Sequence, residues 1–280
     1  MHEGMSDRDT SPIRIGNDVV DLRHPACRGR APGDPFAARI LAEPERAWLG
    51  EAADAASWSL RLWALWAAKE TAFKALEKGS APSRIFRPSA LVCELRIESL
   101  DVTGLGGGTI TRFTGRVVRK APGGDRHGHT EHPVSMPVAV EGTSDGSWLH
   151  MIGWSGGQAR PPAWRLDAGV EGSGPPAGPL GMDALEAFRA AFSQEEWEGV
   201  HSAPSARARI LARDRLAAAL ADEMDIEILT SGERPGRTPP RIRIGGRERP
   251  DLDLSLSHHG RFVAWALLLP GGAGPQNPGR

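Results

Sequence analysis

The sequence predicts a mixed α+β protein, built as one large domain or as two of ordinary size. The chain has 280 residues, and a composition of 40% hydrophobic and 25% charged residues is that of a globular protein. Helical and strand-like segments occur both before and after a stretch rich in Pro and Gly at residues 155–179. We expect that stretch to be a linker between two folded parts.

Charge and cysteine content narrow the class of protein. The net charge of −1 gives no bulk electrostatic case for nucleic acid binding. Cys27 and Cys93 have no metal-type spacing and cannot form a disulfide framework, so a reducing cytoplasm is expected. The polar start MHEGMSDRDTSP is unlike a signal peptide, and no apolar run approaches the roughly 20 residues of a membrane span. We therefore expect a soluble cytoplasmic protein with disordered residues at 1–12.

The first part of the chain, residues 13–154, alternates strands with two helical regions. A strand over 13–20 carries Asp18 beside Gly16, which would allow close backbone approach. Asp18 could cap a turn, or it could be a metal ligand or base. A helix over 35–49 should divide at Pro44, and a longer helix should cover 58–78. Further strands are predicted at 91–97, 109–118, 134–140 and 148–154.

The long helix contains an unusual pattern of charges. At about 100° per residue, Leu62, Leu65 and Phe73 share one apolar arc, with Lys69 in its middle and Glu70 at its edge. A cation in such an arc should cost stability unless it is paired or bound to a ligand. The alternative is a snorkelling Lys69 and an ordinary i,i+4 pair between Glu70 and Lys74.

Two loop segments superficially resemble binding motifs. GLGGG at 104–108 links two strand-like runs and opens no helix, so we expect a hairpin turn and not a phosphate loop. His127, His129 and His132 could bind zinc, but their Gly-rich surroundings favour a flexible loop.

The second part, residues 180–270, contains two predicted helices and three strands. The helices cover 183–197 and 205–224, and the second carries a cluster of arginines that is either a solvated face or a phosphate site. A strand at 226–229 leads to a rigid basic loop at 232–241. In the strand 252–257 the leucines should point inward, with Asp253, Ser255 and Ser257 outward. Another strand at 262–269 precedes a flexible tail at 271–280.

Three segments of the chain stand apart: GNDVVDL at 16–22, WAAKETAFKAL at 66–76 and LSLSHHGRFVAWAL at 254–267. They contain a G-x-D strand, a W-x-x-K-E-x-x-x-K helix and an S-x-S-H turn before an apolar strand. Together they resemble the signature of the 4′-phosphopantetheinyl transferase superfamily. Each motif alone is weak, but their conjunction is specific.

The order of these motifs implies a particular architecture. The G-x-D and K-E half comes first, as in the short holo-acyl-carrier-protein-synthase type, whereas the C-terminal segment resembles the N-terminal half of the long type. The resemblance thus implies circularly permuted halves: a pseudo-dimer of two similar α+β halves with the active site between them. A monomer is then expected, because one chain would carry both halves.

The resemblance also implies the reaction and its participants. Family members transfer 4′-phosphopantetheine from coenzyme A to a serine of an apo acyl or peptidyl carrier protein and release adenosine 3′,5′-bisphosphate. Asp18 and Glu70 match the ligands of Mg²⁺, and Mn²⁺ would suit the same oxygen donors. The third acidic ligand of the long type is replaced here by Val20, so water should complete the shell, while Asp21 should face away.

The remaining site residues are carried over from the family motifs in the same way. Glu70 is the expected general base, with Asp18 and Lys69 also catalytic. Residues expected to contact coenzyme A are Lys69, Lys74, Ser257, His258, Arg209 and Arg237, with His259 ranked lower because it replaces the usual serine. A non-catalytic homologue that binds coenzyme A as a regulator or scaffold is the alternative hypothesis.

Overall fold

The predicted α+β class is confirmed by a computed structural model, which describes residues 13–78, 85–102, 108–120, 137–155, 164–172, 185–220, 225–230 and 238–270. Within these residues the strands form three antiparallel sheets. No helix in the described part of the chain has both the length and the apolar character needed to cross a membrane. The predicted disordered start at 1–12, the tail at 271–280 and the His127, His129 and His132 loop lie outside the described residues.

The largest sheet contains the first five strands. Its spatial order is β1-β5-β4-β3-β2, so β1 pairs with β5 and has one free edge. Strands β2 and β3 pair as predicted on either side of the GLGGG segment, of which residues 104–107 are not described. The bounds are β1 Ile15–Asp21, β2 Leu91–Val102, β3 Gly108–Arg119, β4 Val138–Ser144 and β5 Trp148–Ser155.

Three helices cover one face of this sheet. The predicted division at Pro44 is observed as α1 (Pro35–Ile40) and α2 (Glu43–Gly50), and the long helix is α3 (Ala55–Glu77). Helix α3 is capped by Asp54, whose carboxylate accepts a 2.7 Å hydrogen bond from the amide of Ser57. Thr71 and Ala75 lie against Gly16 of β1, whereas Trp63 and Trp66 contact Phe36 of α1. Helix α3 is therefore buried on two sides.

The remaining strands form two smaller sheets, one of which lies against β1. One has the order β10-β11-β6 and the other β7-β8-β9. Helix α5 packs on both and shares their apolar core. The bounds are β6 Trp164–Gly172, α4 Gln194–Glu198, α5 Ala203–Leu220, β7 Ile226–Leu229, β8 Arg241–Ile244, β9 Arg247–Glu248, β10 Asp253–His259 and β11 Phe262–Pro270.

Two predictions for this part of the chain were wrong. The expected linker at 155–179 contains β6, which pairs with β11 and places Gly169 against the ring of Trp265. Its composition hid the strand because a close neighbour there requires glycine. The expected helix at 183–197 is broken: within the described residues 185–197, positions 185–186 are helical and a separate short turn follows at Arg189–Ala191 before α4. Ser193 caps α4 and accepts a bond from the amide of Glu196, so a new helix starts there.

Candidate functional site

Two carboxylates and one lysine from separate parts of the chain meet beside β1. The Lys74 ammonium lies 3.3 Å from Asp18 Oδ1 and 3.3 Å from Glu70 Oε1. The same ammonium donates to the carbonyl oxygen of Asn17 at 2.9 Å. Asp18 is buried, whereas about a quarter of the Lys74 and Glu70 side chains remains exposed, at 26% and 29%. The cluster therefore opens to solvent on the helix side.

Close packing between β1 and α3 brings these groups together. Gly16 lies against the backbone of α3, where a Cβ atom would overlap the carbonyl oxygen of Thr71. Its strand partner Gly153 faces the same residue. Because neither position carries a side chain, the strand approaches the helix closely enough for Asp18 to meet Lys74. The predicted role of Gly16 is thus confirmed by the packing.

The charges in the cluster are strongly coupled. Burial, and then the negative charge of Glu70, raise the pKa of Asp18 from 3.8 to about 7 despite opposing contributions from Lys74 and Ser257. For Lys74, burial favours the neutral amine, but the two carboxylates outweigh it and raise its pKa. The cluster is therefore short of positive charge, since one ammonium serves two carboxylates.

This donor set fits a magnesium ion that keeps water and substrate oxygens in its shell. Magnesium is commonly held by one or two carboxylates together with phosphate oxygens. Asp18 and Glu70 are such a pair, and a divalent cation would offset the burial and the Glu70 charge that together raise the pKa of Asp18. Among the described residues no group of three or more His, Cys, Asp or Glu side chains is placed to hold a metal. Val20 is packed in the core, as expected for a position that supplies no ligand.

Lys69 does not join the cluster, so its predicted contact with phosphate is wrong for this structure. Its side chain is fully buried on the side of α3 that faces α1 and α2. The ammonium donates to Glu45 Oε2 at 2.6 Å and to the carbonyl oxygen of Ile40 at 2.6 Å. Glu45 also accepts from the amides of Ala42 and Cys93, each at 2.7 Å. Lys69 is therefore the cation of a buried ion pair.

The free edge of β1 is occupied by side chains of β10. The two strands run in the same direction, and every second residue of β10 accepts a hydrogen bond from an amide of β1. We call this row the side-chain ladder. Its bonds are Ile15 N to Asp253 Oδ2 at 2.7 Å, Asn17 N to Ser255 Oγ at 3.0 Å, Val19 N to Ser257 Oγ at 3.2 Å and Asp21 N to His259 Nδ1 at 2.9 Å.

The ladder corrects the predicted orientation of β10. The leucines of this strand do pack inward, but Asp253, Ser255 and Ser257 are also buried, because their face lies against β1. The alternation of leucines by itself does not reveal that β10 has a partner strand. The run D-x-S-x-S-x-H could have revealed it, because it places four groups able to accept hydrogen bonds on one face.

Lys78, at the end of α3, also connects β1 with β10. This role was not predicted from the sequence. Its ammonium donates to the carbonyl oxygen of Ile15 at 2.6 Å, to Asp253 Oδ1 at 2.8 Å and to the carbonyl oxygen of Leu254 at 2.7 Å. Together Lys74 and Lys78 satisfy two carbonyl groups on the free edge of β1. One turn of helix separates these lysines, which matches the spacing of alternate strand carbonyls.

Ser257 and His258, predicted as a pair, point in different directions. The Ser257 hydroxyl donates to Asp18 Oδ1 at 2.8 Å and is buried. His258 is exposed, on the opposite side of the strand. Although exposed, His258 has a lowered pKa, through partial desolvation and then the positive charges of Lys74 and Arg209, with the negative charge of Glu70 opposing them. The two positive charges favour an anion beside His258.

The two predicted arginines have different outcomes. Arg209 is buried, and its guanidinium donates to the carbonyl oxygen of Gly199 at 2.9 Å and to Thr230 Oγ1 at 3.2 Å, with Ser205 as a further partner. A contact with the adenosine 3′-phosphate would require these bonds to open, so this geometry does not support that prediction. Arg237 lies outside the described residues.

The turn after β10 is held by Asp21. Both of its carboxylate oxygens bond to the Arg261 guanidinium, at 2.9 and 3.0 Å, and Oδ2 also accepts from the Arg261 amide at 3.1 Å. Gly260 has a φ of +55° at this point, in the left-handed region that glycine tolerates. The prediction that Asp21 does not coordinate metal agrees with this bonding. His259, which accepts from the Asp21 amide through Nδ1, belongs to the ladder and not to a ligand surface.

A family model supports the resemblance seen in the sequence. The model of the 4′-phosphopantetheinyl transferase superfamily (ACPS) matches residues 14–111, which include Asp18, Glu70 and Lys74. The chain is similar to that superfamily over this segment, which is 98 of its 280 residues. The match supports phosphopantetheine transfer in general, with coenzyme A and carrier proteins as the substrates of the family. A search of curated proteins found no match to the chain.

Proposed function

We propose that the protein is a magnesium-dependent 4′-phosphopantetheinyl transferase. It would transfer the 4′-phosphopantetheine group from coenzyme A to a serine of an apo acyl or peptidyl carrier protein and release adenosine 3′,5′-bisphosphate. The observation that carries this proposal is the convergence of Asp18, Glu70 and Lys74, with Ser257 bonded to Asp18. All three motif segments contribute to this one cluster.

Asp18 and Glu70 are the residues proposed to hold the metal ion. When bound, the ion would supply neutralisation of the pyrophosphate charge. Mn²⁺ offers similar coordination to oxygen donors and is a reasonable substitute in assays. The raised pKa of Asp18, about 7, means that cation binding and loss of its proton are linked.

Glu70 is the proposed general base. The attacking serine oxygen forms a bond to the phosphorus next to the pantetheine arm, and the bond from that phosphorus to the adenosine bisphosphate oxygen breaks. The serine proton passes to Glu70, whose side chain is 29% exposed and can be reached from solvent. Lys74, beside it, would balance the charge on the phosphates in place of the buried Lys69.

The two parts of the chain are proposed to enclose the site as halves of a pseudo-dimer. His258 would then contact the phosphates from the second half, because Lys74 and Arg209 make its surroundings positive. Arg237 is proposed to hold the adenosine end, as a guanidinium suits phosphate oxygens. Such a chain would act as a monomer in the cytoplasm. Light scattering, which measures the mass of the protein in solution, tests whether it is a monomer.

The direct test is incubation with coenzyme A, Mg²⁺ and a panel of apo carrier proteins, followed by mass measurement of the carriers. A carrier that gains the phosphopantetheine arm supports the proposal. Absence of modification on every carrier, under conditions in which a control transferase works, would refute it for those carriers. Asp18→Ala and Glu70→Ala should each abolish transfer without unfolding the protein, and full activity of either variant would refute the metal assignment.

A matched control is available on the surface. Glu94, on β2, pairs with Arg116 where both side chains are more than half exposed, at 60% and 57%. Glu94→Ala should transfer at the wild-type rate, because this carboxylate lies outside the cluster.

The alternative, a non-catalytic coenzyme A-binding protein, is favoured by one observation. Lys69, Ser257 and Arg209 all have internal hydrogen-bond partners, which leaves fewer free groups for phosphates than the family pattern implies. Calorimetry separates the two functions. A binding protein would take up coenzyme A and Mg²⁺ and leave the coenzyme intact in the presence of carriers.

A further inference from the structure

The Ser257 hydroxyl has one proton, and the structure shows where it goes. The oxygen accepts from the Val19 amide at 3.2 Å and donates to Asp18 Oδ1 at 2.8 Å. An ionised phosphate oxygen can accept hydrogen bonds but has no proton to donate. A hydrogen bond between Ser257 and such an oxygen would therefore need the same hydroxyl proton. While Asp18 is ionised, Ser257 therefore cannot donate both to the carboxylate and to a phosphate of coenzyme A.

The neighbouring bonds of the ladder also join β10 to β1. Ser255 accepts from the Asn17 amide at 3.0 Å and His259 from the Asp21 amide at 2.9 Å, so the residues on both sides are fixed to β1. Ser257 is 7% exposed and Asp18 is 5% exposed, and the short bond between them is therefore shielded from water. Such a shielded bond restricts the carboxylate to one orientation.

In this orientation, one carboxylate oxygen of Asp18 is bonded by two other side chains. Ser257 and Lys74 both approach Oδ1, at 2.8 and 3.3 Å. Hydrogen-bonded neighbours of this kind orient metal-binding carboxylates and tune their affinity.

We infer that Ser257 is a positioning residue for Asp18 and not a contact to coenzyme A. Its hydroxyl bridges the Val19 amide and the Asp18 carboxylate, and thereby couples the β10 segment to the proposed metal site. The inference rests on the proposed function in so far as Asp18 is taken to hold the metal; the bond itself does not depend on it.

The test compares two serines with matched surroundings. Ser255 and Ser257 both accept from one amide of β1 and both are buried, at 2% and 7% exposure, but of the two it is Ser257 that bonds to Asp18. Ser257→Ala should lower kcat by about 10- to 100-fold and change KM for coenzyme A by less than about threefold. Ser255→Ala should keep kcat within about threefold of wild type.

Rescue and metal binding provide independent measurements. Ser257→Thr retains the hydroxyl and should recover most of kcat. Titration of Mn²⁺ in the presence of coenzyme A, followed by its relaxation signal, should show an apparent affinity about 10-fold weaker in Ser257→Ala and unchanged in Ser255→Ala. Equal losses in the two alanine variants, or a large rise in KM with unchanged kcat for Ser257→Ala, would overturn the inference.

Failure of the proposed function can be distinguished from failure of the inference about Ser257. If wild-type protein transfers nothing, that function is refuted, and a double-mutant cycle of Ser257→Ala and Asp18→Asn in urea unfolding then decides the inference. Coupling of roughly fivefold or more in the unfolding equilibrium constant would support it, and additive effects would overturn it.

Discussion

The buried ion pair between Lys69 and Glu45 makes the strongest prediction for stability. Both side chains have 0% exposure, and their atoms approach to 2.6 Å. Lys69→Met keeps the length and apolar stem of the side chain and removes its charge. The Glu45 carboxylate would then retain its two amide donors, from Ala42 and Cys93, and lose its cation.

The expected loss in the free energy of unfolding is about 3–5 kcal/mol. Removing one partner of a buried pair leaves the other charge uncompensated, which has this effect in other proteins. The carbonyl oxygen of Ile40 also loses its donor. Since domains are stable by only about 5–15 kcal/mol, the loss would consume a large part of the total. The double variant Lys69→Met with Glu45→Gln should be less destabilised than the sum of the two single variants, because neither charge remains.

Urea unfolding monitored by tryptophan fluorescence measures the effect. The matched control is Arg116→Met, which also removes the cation of an ion pair, but one that is exposed on the surface. Its expected effect is below about 1 kcal/mol.

The reasoning would be refuted by a Lys69→Met variant that unfolds within about 1 kcal/mol of wild type. A variant of unchanged stability that has lost affinity for coenzyme A would show in addition that Lys69 reaches the ligand. The stability measurement therefore distinguishes a structural lysine from a phosphate-binding one without any assumption about the reaction.

The remaining predictions concern Asp18, Gly16 and Arg261. Because burial and Glu70 raise the pKa of Asp18 to about 7, its ionisation destabilises the fold as the pH rises from about 4 to 7. In metal-free buffer, urea unfolding should therefore show Asp18→Asn to be more stable than wild type by a few kcal/mol near pH 8 but not near pH 4. An equal difference in stability at the two pH values would contradict this prediction. Gly16→Ala places a methyl group on the Thr71 carbonyl oxygen, so it should lower the free energy of unfolding by about 1–3 kcal/mol and should also lower activity. The control is Gly50→Ala, whose added methyl group meets nothing within 4 Å and should leave Tm unchanged. Burial alone would raise the pKa of Asp21, but its bonds from Arg261 outweigh this and lower it to about 2, so this pair stabilises the fold above about pH 4 and the stability is lost as the pH falls towards 2. Arg261→Ala should lose less stability than wild type over that acid range, and superimposable acid-unfolding curves would contradict the assignment.

Local patterns in the sequence predicted much of the first part of the molecule. The strand at β1, the division at Pro44 and the long helix α3 all appear where hydrophobic spacing and proline placed them. These three features depend on neighbours within a few residues, so one segment contains the information needed to predict them. Asp18, Glu70 and Lys74, which the structure brings together, were instead identified by the resemblance to the family motifs.

The strand β6 shows where local patterns failed. Its segment is rich in glycine and lies between Pro-rich stretches, so its composition predicted a linker. It is a strand because β11 provides the paired backbone and Trp265 fills the space left by Gly169. No pattern within the segment contains that information, because the partner comes from residues about a hundred positions away.

Lys69 separates the two kinds of information most clearly. The helical period by itself determined that this lysine lies in the apolar arc of α3 and must be paired or bound to a ligand. Only the tertiary structure decided between those two outcomes, by packing α2 against α3 and presenting Glu45 to the ammonium. The same holds for Ser257, whose partner Asp18 lies on a strand at the other end of the chain. Periodicity is a property of one element, whereas the partner of a buried polar group is set by which elements meet.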